Sequence, residues 1–378
     1  MDDALHRLSR KLIEIDSVNP GLTAGAAGEA EIALFVRNWL SKAGIEADCL
    51  EAAPGRPSVI GRIKGKGGGR SLLLSAHLDT VGVGDMEAPF TPRVEGGRLF
   101  GRGSYDMKSG LAACMMALFD VRNADLKGDV LLAAVADEEF ASIGIQSVLK
   151  ELKADAAILA EPTDLDLVIA HKGFSWHEIV TEGRVAHGSR PDLGVDAILH
   201  MGRVLGGIEA LQQRLAAGSA HPLLSRGSLH ASLISGGKEL SSYPGSCSLQ
   251  LERRTLPGET GDKVAAELDE VLRRLAAADG TFQAKAKTLL VRPPYSIRSD
   301  APIVELIGAQ AAQVLGCAPR IAGAPWWMDS AFISEAGIPT VVMGPTGGGA
   351  HTKEEWVDLE SVCQCRAIYS STIRAFCQ

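Results

Sequence analysis

Residues 72–79 read Leu72-Leu73-Leu74-Ser75-Ala76-His77-Leu78-Asp79. An extended segment with so few polar positions is apolar on both faces, and such a strand is stable only in a sheet covered on both sides. Its polar groups arrive together, at the carboxyl end. Residues 130–136 repeat the arrangement and run into Asp137-Glu138-Glu139; residues 156–160 run into Glu161-Pro162-Thr163, and 338–343 lead through a glycine-rich stretch to His351. Between these runs, 109–121 and 141–152 carry helical patterns. Residues 28–43 do the same, with Ile32, Phe35, Val36, Trp39 and Leu40 on one stripe and Gly44 as its stop. Strands alternating with helices predict an α/β fold with a mixed, largely parallel sheet.

The middle of the chain changes rhythm. Residues 175–182 read as a strand, 194–216 as a helix, 228–235 and 247–253 as strands, 258–278 as a helix and 281–289 as a strand. This β-α-β-β-α-β order is the ferredoxin-like split unit. It predicts an inserted α+β domain at 175–290, interrupting a first domain built from 1–174 and 291–378. The α/β pattern resumes with helices at 301–315 and 330–336, the strand at 338–343 and a last helix from 359. The glycine triplets at 67–69 and 347–349 read as loops.

The whole chain has 378 residues, 46% apolar and 22% charged, a balance that builds a sizeable core. Lys and Arg number 38 against 46 Asp and Glu, a net charge of −8. No basic surface is available for nucleic acid or anionic membranes. No apolar run reaches the ~18 residues of a membrane span. The opening MDDALHRLSRKL lacks a basic segment followed by an apolar one, so a cytoplasmic location is expected. Seven scattered cysteines with no C-x-x-C pair read as free thiols.

Carboxyl ends of strands in an open sheet share one edge, where ligands bind. Histidine and several carboxylates gathered there would repel one another without a cation, so a metal is the economical reading. Each piece has a plain alternative. His77-x-Asp79 alone is a strand-end histidine in a turn, Glu138-Glu139 alone a solvated loop, and Asp106, in Gly101-Arg102-Gly103-Ser104-Tyr105-Asp106-Met107-Lys108-Ser109-Gly110, a helix cap or a ligand. Their joint placement at strand ends favours the metal. Nucleotide-binding alternatives lack their fingerprints: Gly65-x-Gly67, Gly82-x-Gly84 and Gly101-x-Gly103 have no third glycine, and no phosphate-binding loop or serine-hydrolase elbow occurs.

Taken in order, 75–81, 101–110, 137–139, 161–163 and the late loop with His351 resemble the M20 metallopeptidases, the family of acetylornithine deacetylase, succinyl-diaminopimelate desuccinylase, aminoacylase and carboxypeptidase G. The resemblance implies a homodimer with two zinc ions, cobalt or manganese being possible substitutes. Asp106 would bridge the ions, His77 and Glu161 completing one site, Glu139 and His351 the other. Glu138 would be the general base, Asp79 would orient His77, and the Asp106–Met107 peptide would be cis. The inserted domain would serve as dimerisation or lid domain. His187, within 183–191, would donate to the oxyanion of a neighbouring subunit's site, and Arg254, within 253–259, would clamp a substrate carboxylate. By themselves His187 reads as a turn histidine and Arg254 as an exposed strand-end arginine. Two departures stand at the substrate end: Ser241-Ser242-Tyr243-Pro244 lacks a usual asparagine, and Glu252 replaces a usual aspartate. The expected reaction is cleavage of the amide of an N-acyl amino acid. Hydrolysis of dipeptides or other small peptides is the alternative, and a silent small-molecule-binding relative a third.

Overall fold

The computed structural model describes residues 3–378. Helices α1 (Asp3–Glu14) and α2 (Ala30–Lys42) precede strands β1 (Glu46–Glu51), β2 (Pro57–Ile63) and β3 (Leu72–His77). After the short β4 (Arg93–Glu95) and β5 (Arg98–Phe100) come α3 (Ser109–Val121), β6 (Val130–Val135), α4 (Ile143–Glu151), β7 (Ala156–Leu159) and β8 (Leu167–His171). β9 (Gly173–Glu182), α5 (Ala197–Ala217), β10 (Ser228–Gly236), β11 (Ser246–Thr255), α6 (Gly261–Ala278) and β12 (Gln283–Arg292) follow. The chain then forms β13 (Tyr295–Ser296), α7 (Pro302–Leu315), β14 (Ile321–Ala324), α8 (Ser330–Glu335), β15 (Thr340–Val342), β16 (Gly347–Gly348), β17 (Trp356–Asp358) and α9 (Leu359–Phe376).

Two compact units divide these elements. One holds everything up to Ile169 with Ile297–Ala322 and Met328–Gln378; the other holds Ala170–Ser296 and Gly323–Trp327. In the first, strands lie in the order β1-β2-β6-β3-β7-β15-β8. Every residue of β3, β6 and β7 is buried, and each such Leu or Val contributes roughly 1.5–3 kcal/mol. Parallel pairing is narrower than the sequence predicts. It joins only β6-β3-β7-β15, whereas β1-β2, β2-β6 and β15-β8 are antiparallel. Parallel neighbours need a long crossover, and the few residues between β1 and β2 permit only a reversal. In α3 nearly every residue is buried. Gly110 lets it approach the sheet, since a Cβ there would lie 2.3 Å from the Ala160 carbonyl oxygen. α9 packs on α3, and its Tyr369 hydroxyl donates to the Met343 carbonyl at the end of β15.

The second unit is an antiparallel sheet in the order β10-β11-β9-β12. α5 and α6 supply its core with β9 and β11, around Ile179, Met201, Val204, Leu249, Leu251 and Leu268. Its chain order is the split β-α-β-β-α-β unit. The helices start three residues later than their apolar patterns suggest, because the Asp196 and Thr260 side chains accept the first free helical N–H groups. Nothing in the sequence pattern marks 323–327 as part of this unit.

Candidate metal centre

Four strand ends of the first unit deliver the polar groups. His77 is the last residue of β3, Glu138 and Glu139 follow β6, Glu161 follows β7, and His351 lies in the loop beyond β15. Asp106 sits in an irregular turn, Ser104–Lys108, where its own and Met107's φ/ψ leave the helical range and their shared peptide is cis. It therefore does not cap α3, whose capping position is Lys108. His77 Nε2 lies 3.0 Å from one Asp106 oxygen, and His351 Nε2 lies 3.2 Å from the other. His351 Nε2 is also 3.3 Å from Glu139, and His77 Nε2 is 3.8 Å from Glu161. Donor atoms of His77, Glu138 and Glu161 fall within 4.8 Å of one another, as do those of His77, Asp106 and Glu139.

Surrounding groups fix this arrangement. Buried Glu355 accepts the backbone N–H groups of Gly103, Tyr105 and Asp106 and pairs with Arg102 at 2.8 Å, holding the Asp106 turn. Arg102 also donates to the Thr352 carbonyl, next to His351. Tyr105 donates to Asp164, which accepts from Gly347 N as well. Gly347 and Gly348, expected as loop, form the two-residue strand β16 against β17. Asp79 acts differently from its expected role. His77 Nδ1 is 2.9 Å from the Asp79 main-chain carbonyl, while the carboxylate, 3.6 Å away, instead accepts the N–H groups of Glu138 and Glu139. Asn19, Arg56, Glu29 and Glu355 stand in none of the motifs, and the charged side chains they bond lie 27 to 253 residues away in sequence.

Burial opposes a charged His77 ring, but Glu161 and Asp106 outweigh it and hold its pKa well above the ordinary value. Hydrogen bonds to Asp106 and Glu139 push His351 up to about 10. Burial would raise Asp106, yet the bonds from His351 and His77 keep it below the usual carboxylate range. Burial, followed by the charge of Glu161, drives Glu138 well upward; burial likewise raises Glu139 and, strongly, Glu161. Glu139 Oε1 and Glu161 Oε1 are buried without a hydrogen-bond partner. Two imidazoles with carboxylate oxygens, two of them unsatisfied, fit a divalent metal.

Residues 73–375 match the sequence profile of peptidase family M20/M25/M40. The chain belongs to this family. Its hydrolases, peptidases and deacetylases are metal-dependent enzymes acting on amide bonds. An acetylornithine deacetylase of Myxococcus xanthus is 30% identical over 355 residues, covering 90% of this chain and 87% of its own. Among solved structures, the aminopeptidase PepT from Bacillus cereus superposes with a TM-score of 0.83 at 19% identity, covering 100% of this chain and 99% of its own. A dinuclear metal-binding M20 peptidase from Bacillus subtilis gives 0.75 at 20% identity, with coverages of 98% and 97%. Both structures share the fold.

His187 and Arg254 belong to the second unit. His187 is exposed, forms a backbone bridge to Ser242, and has Nδ1 3.2 Å from the Ser189 N–H and 2.8 Å from the Ser189 hydroxyl. Arg254 donates from Nε to Glu252 at 2.6 Å and lies 5.1 Å from the Phe174 ring centre. Glu252 also accepts from Trp176. The described helices include none long and apolar enough to cross a membrane.

Proposed function

We propose that this M20 enzyme is a dinuclear zinc amidohydrolase that splits the amide of an N-acyl amino acid, releasing a carboxylic acid and the free amino acid. The observation that carries this is Asp106, whose two carboxylate oxygens each face a different imidazole. A shared carboxylate between two nitrogen donors suits a pair of cations, with His77 and Glu161 on one side and Glu139 and His351 on the other. Imidazole and carboxylate favour zinc, with cobalt or manganese as substitutes. When bound, such a pair acidifies water and polarises a carbonyl.

The chain's own residues supply the rest. Glu138 takes the proton of the attacking water and returns it to the leaving amine. Asp79 holds the amides of Glu138 and Glu139, and so aims both side chains. His187 is the oxyanion donor supplied by the partner subunit of a homodimer, and Arg254 clamps the substrate carboxylate. The enzyme works in the cytoplasm, and the second unit, expected at 175–290, serves as dimerisation and lid domain.

Purified protein assayed on N-acetylornithine, other N-acetyl amino acids and dipeptides, with zinc, cobalt, manganese or chelator, tests this. Turnover of acyl amino acids that needs a metal is expected. Turnover of dipeptides alone would overturn the substrate, and full activity after chelation would overturn the metal.

A further inference from the structure

A buried polar network stands behind Glu138 and Glu139 and reaches parts of the chain far from every motif. Asn19 is fully buried, and its Nδ2 donates to Asp79 at 2.7 Å and to Asp137 at 3.0 Å. Asp79 is the carboxylate that accepts both amides of the glutamate pair. Asp137 is the residue immediately before that pair, and its backbone is left-handed at φ 70°. For a residue other than glycine that conformation costs about 1–3 kcal/mol and persists only where surroundings impose it.

The surroundings do impose it. Arg56 donates to Asp137 at 2.7 Å and holds Glu29 through two bonds of 2.6 Å, while Glu29 accepts the Asp137 N–H. Asn19 is itself locked. Its Oδ1 accepts Gly21 N, and its N–H donates to the Thr80 carbonyl, one residue from Asp79. Three buried carboxylates, Glu29, Asp79 and Asp137, thus share one guanidinium and one amide. An amide that donates to two carboxylates at once fixes the distance between them. That distance sets the aim of the turn that follows.

We infer that Asn19 is a positioning residue of the hydrolytic site, with Arg56 as its support. It ties Asp79 to Asp137, so that one turn presents Glu138 to the water and Glu139 to the metal. This rests on the roles given above to those two glutamates. A residue of this kind touches neither substrate nor metal, yet loosening it moves base and ligand together.

The test is Asn19→Asp, which keeps the size and the acceptor to Gly21 but removes both donors. Relative to wild type, kcat is expected to fall about tenfold to hundredfold with KM nearly unchanged, and one of two bound metal equivalents to be released to a chromogenic chelator about tenfold more readily. The chelator readout needs no substrate, so it stands if the proposed substrate is wrong. A Glu138→Gln control that is inactive while Asn19→Asp retains wild-type kcat and chelator profile would overturn the inference alone. A lowered thermal midpoint with those two readouts unchanged marks Asn19 as merely structural and overturns it as well. Should Asn19→Asp not fold, Arg56→Lys, which keeps the charge but not the paired geometry, is expected to show the same two changes in smaller degree; wild-type values there would overturn it too.

Discussion

Glu138 and Glu139 are sequence neighbours with different partners. Glu139 lies 3.3 Å from His351 and accompanies Asp106, whereas Glu138 groups with His77 and Glu161. Glu138→Gln therefore removes a proton acceptor and leaves the Asp106-centred donors in place. Turnover should fall about 10²–10⁴-fold while metal content, measured by elemental analysis of the dialysed protein, stays at the wild-type level. Loss of metal in parallel would make Glu138 a ligand instead. At this scale the sequence picked out the imidazole and carboxylate groups that the fold brings together, because a charged residue directly after an apolar strand is conspicuous. It did not reveal how they are held. Asp79 serves the glutamate amides with its side chain and His77 with its carbonyl, a division that no H-x-D spacing encodes. Asn19 and Glu355 lie 60 and 249 residues from the groups they hold, so only the folded chain brings them into view.

Among elements, the buried ones were the readable ones. β3, β6, β7 and α3 are mostly apolar and almost entirely buried, and burial leaves them little choice of conformation. β1 is mostly exposed and carries three acidic residues, and β16 is two glycines that pair with β17. β9 shows an inner face that propensity would not pick. Ser175, His177, Ile179 and Thr181 all point into the second unit, and His177 is tied to Ser175 at 2.8 Å and Thr288 at 3.2 Å. Burial lowers the pKa of His177. Above its ordinary value of about 6.5 both folded and unfolded chains hold it neutral. Below that pH the unfolded chain binds a proton that the folded ring refuses, so stability falls as pH drops from about 6.5 towards the lowered folded value. Chemical denaturation from pH 7.5 to 5, followed on β9 and β11 amides by hydrogen exchange, should show this loss. His177→Gln should flatten it; an unchanged pH slope in that variant would contradict the assignment.

Across the whole molecule, chemistry and architecture are divided unequally. All seven candidate groups, His77, Asp79, Asp106, Glu138, Glu139, Glu161 and His351, belong to the first unit, while the second keeps its own sheet and core. The alternation of apolar periods led to the expectation of an inserted domain at 175–290. It could not announce that 323–327 joins the second, since that attachment is made by tertiary neighbours such as the Lys172 N–H donating to the Ala324 carbonyl. A metal that binds only the folded form stabilises whatever carries its ligands, by about 2.7 kcal/mol when free metal is a hundredfold above its dissociation constant. Chelation should therefore lower the melting transition reported by β3 and β6 by about 5–10 °C and leave that reported by β9 and β11 where it was. Hydrogen exchange along a temperature ramp, with and without chelator, separates the two. Equal shifts in both would mean that the units melt as one cooperative body. No shift in either would mean that the carboxylates and imidazoles at the strand ends hold no cation strongly enough to matter for the fold.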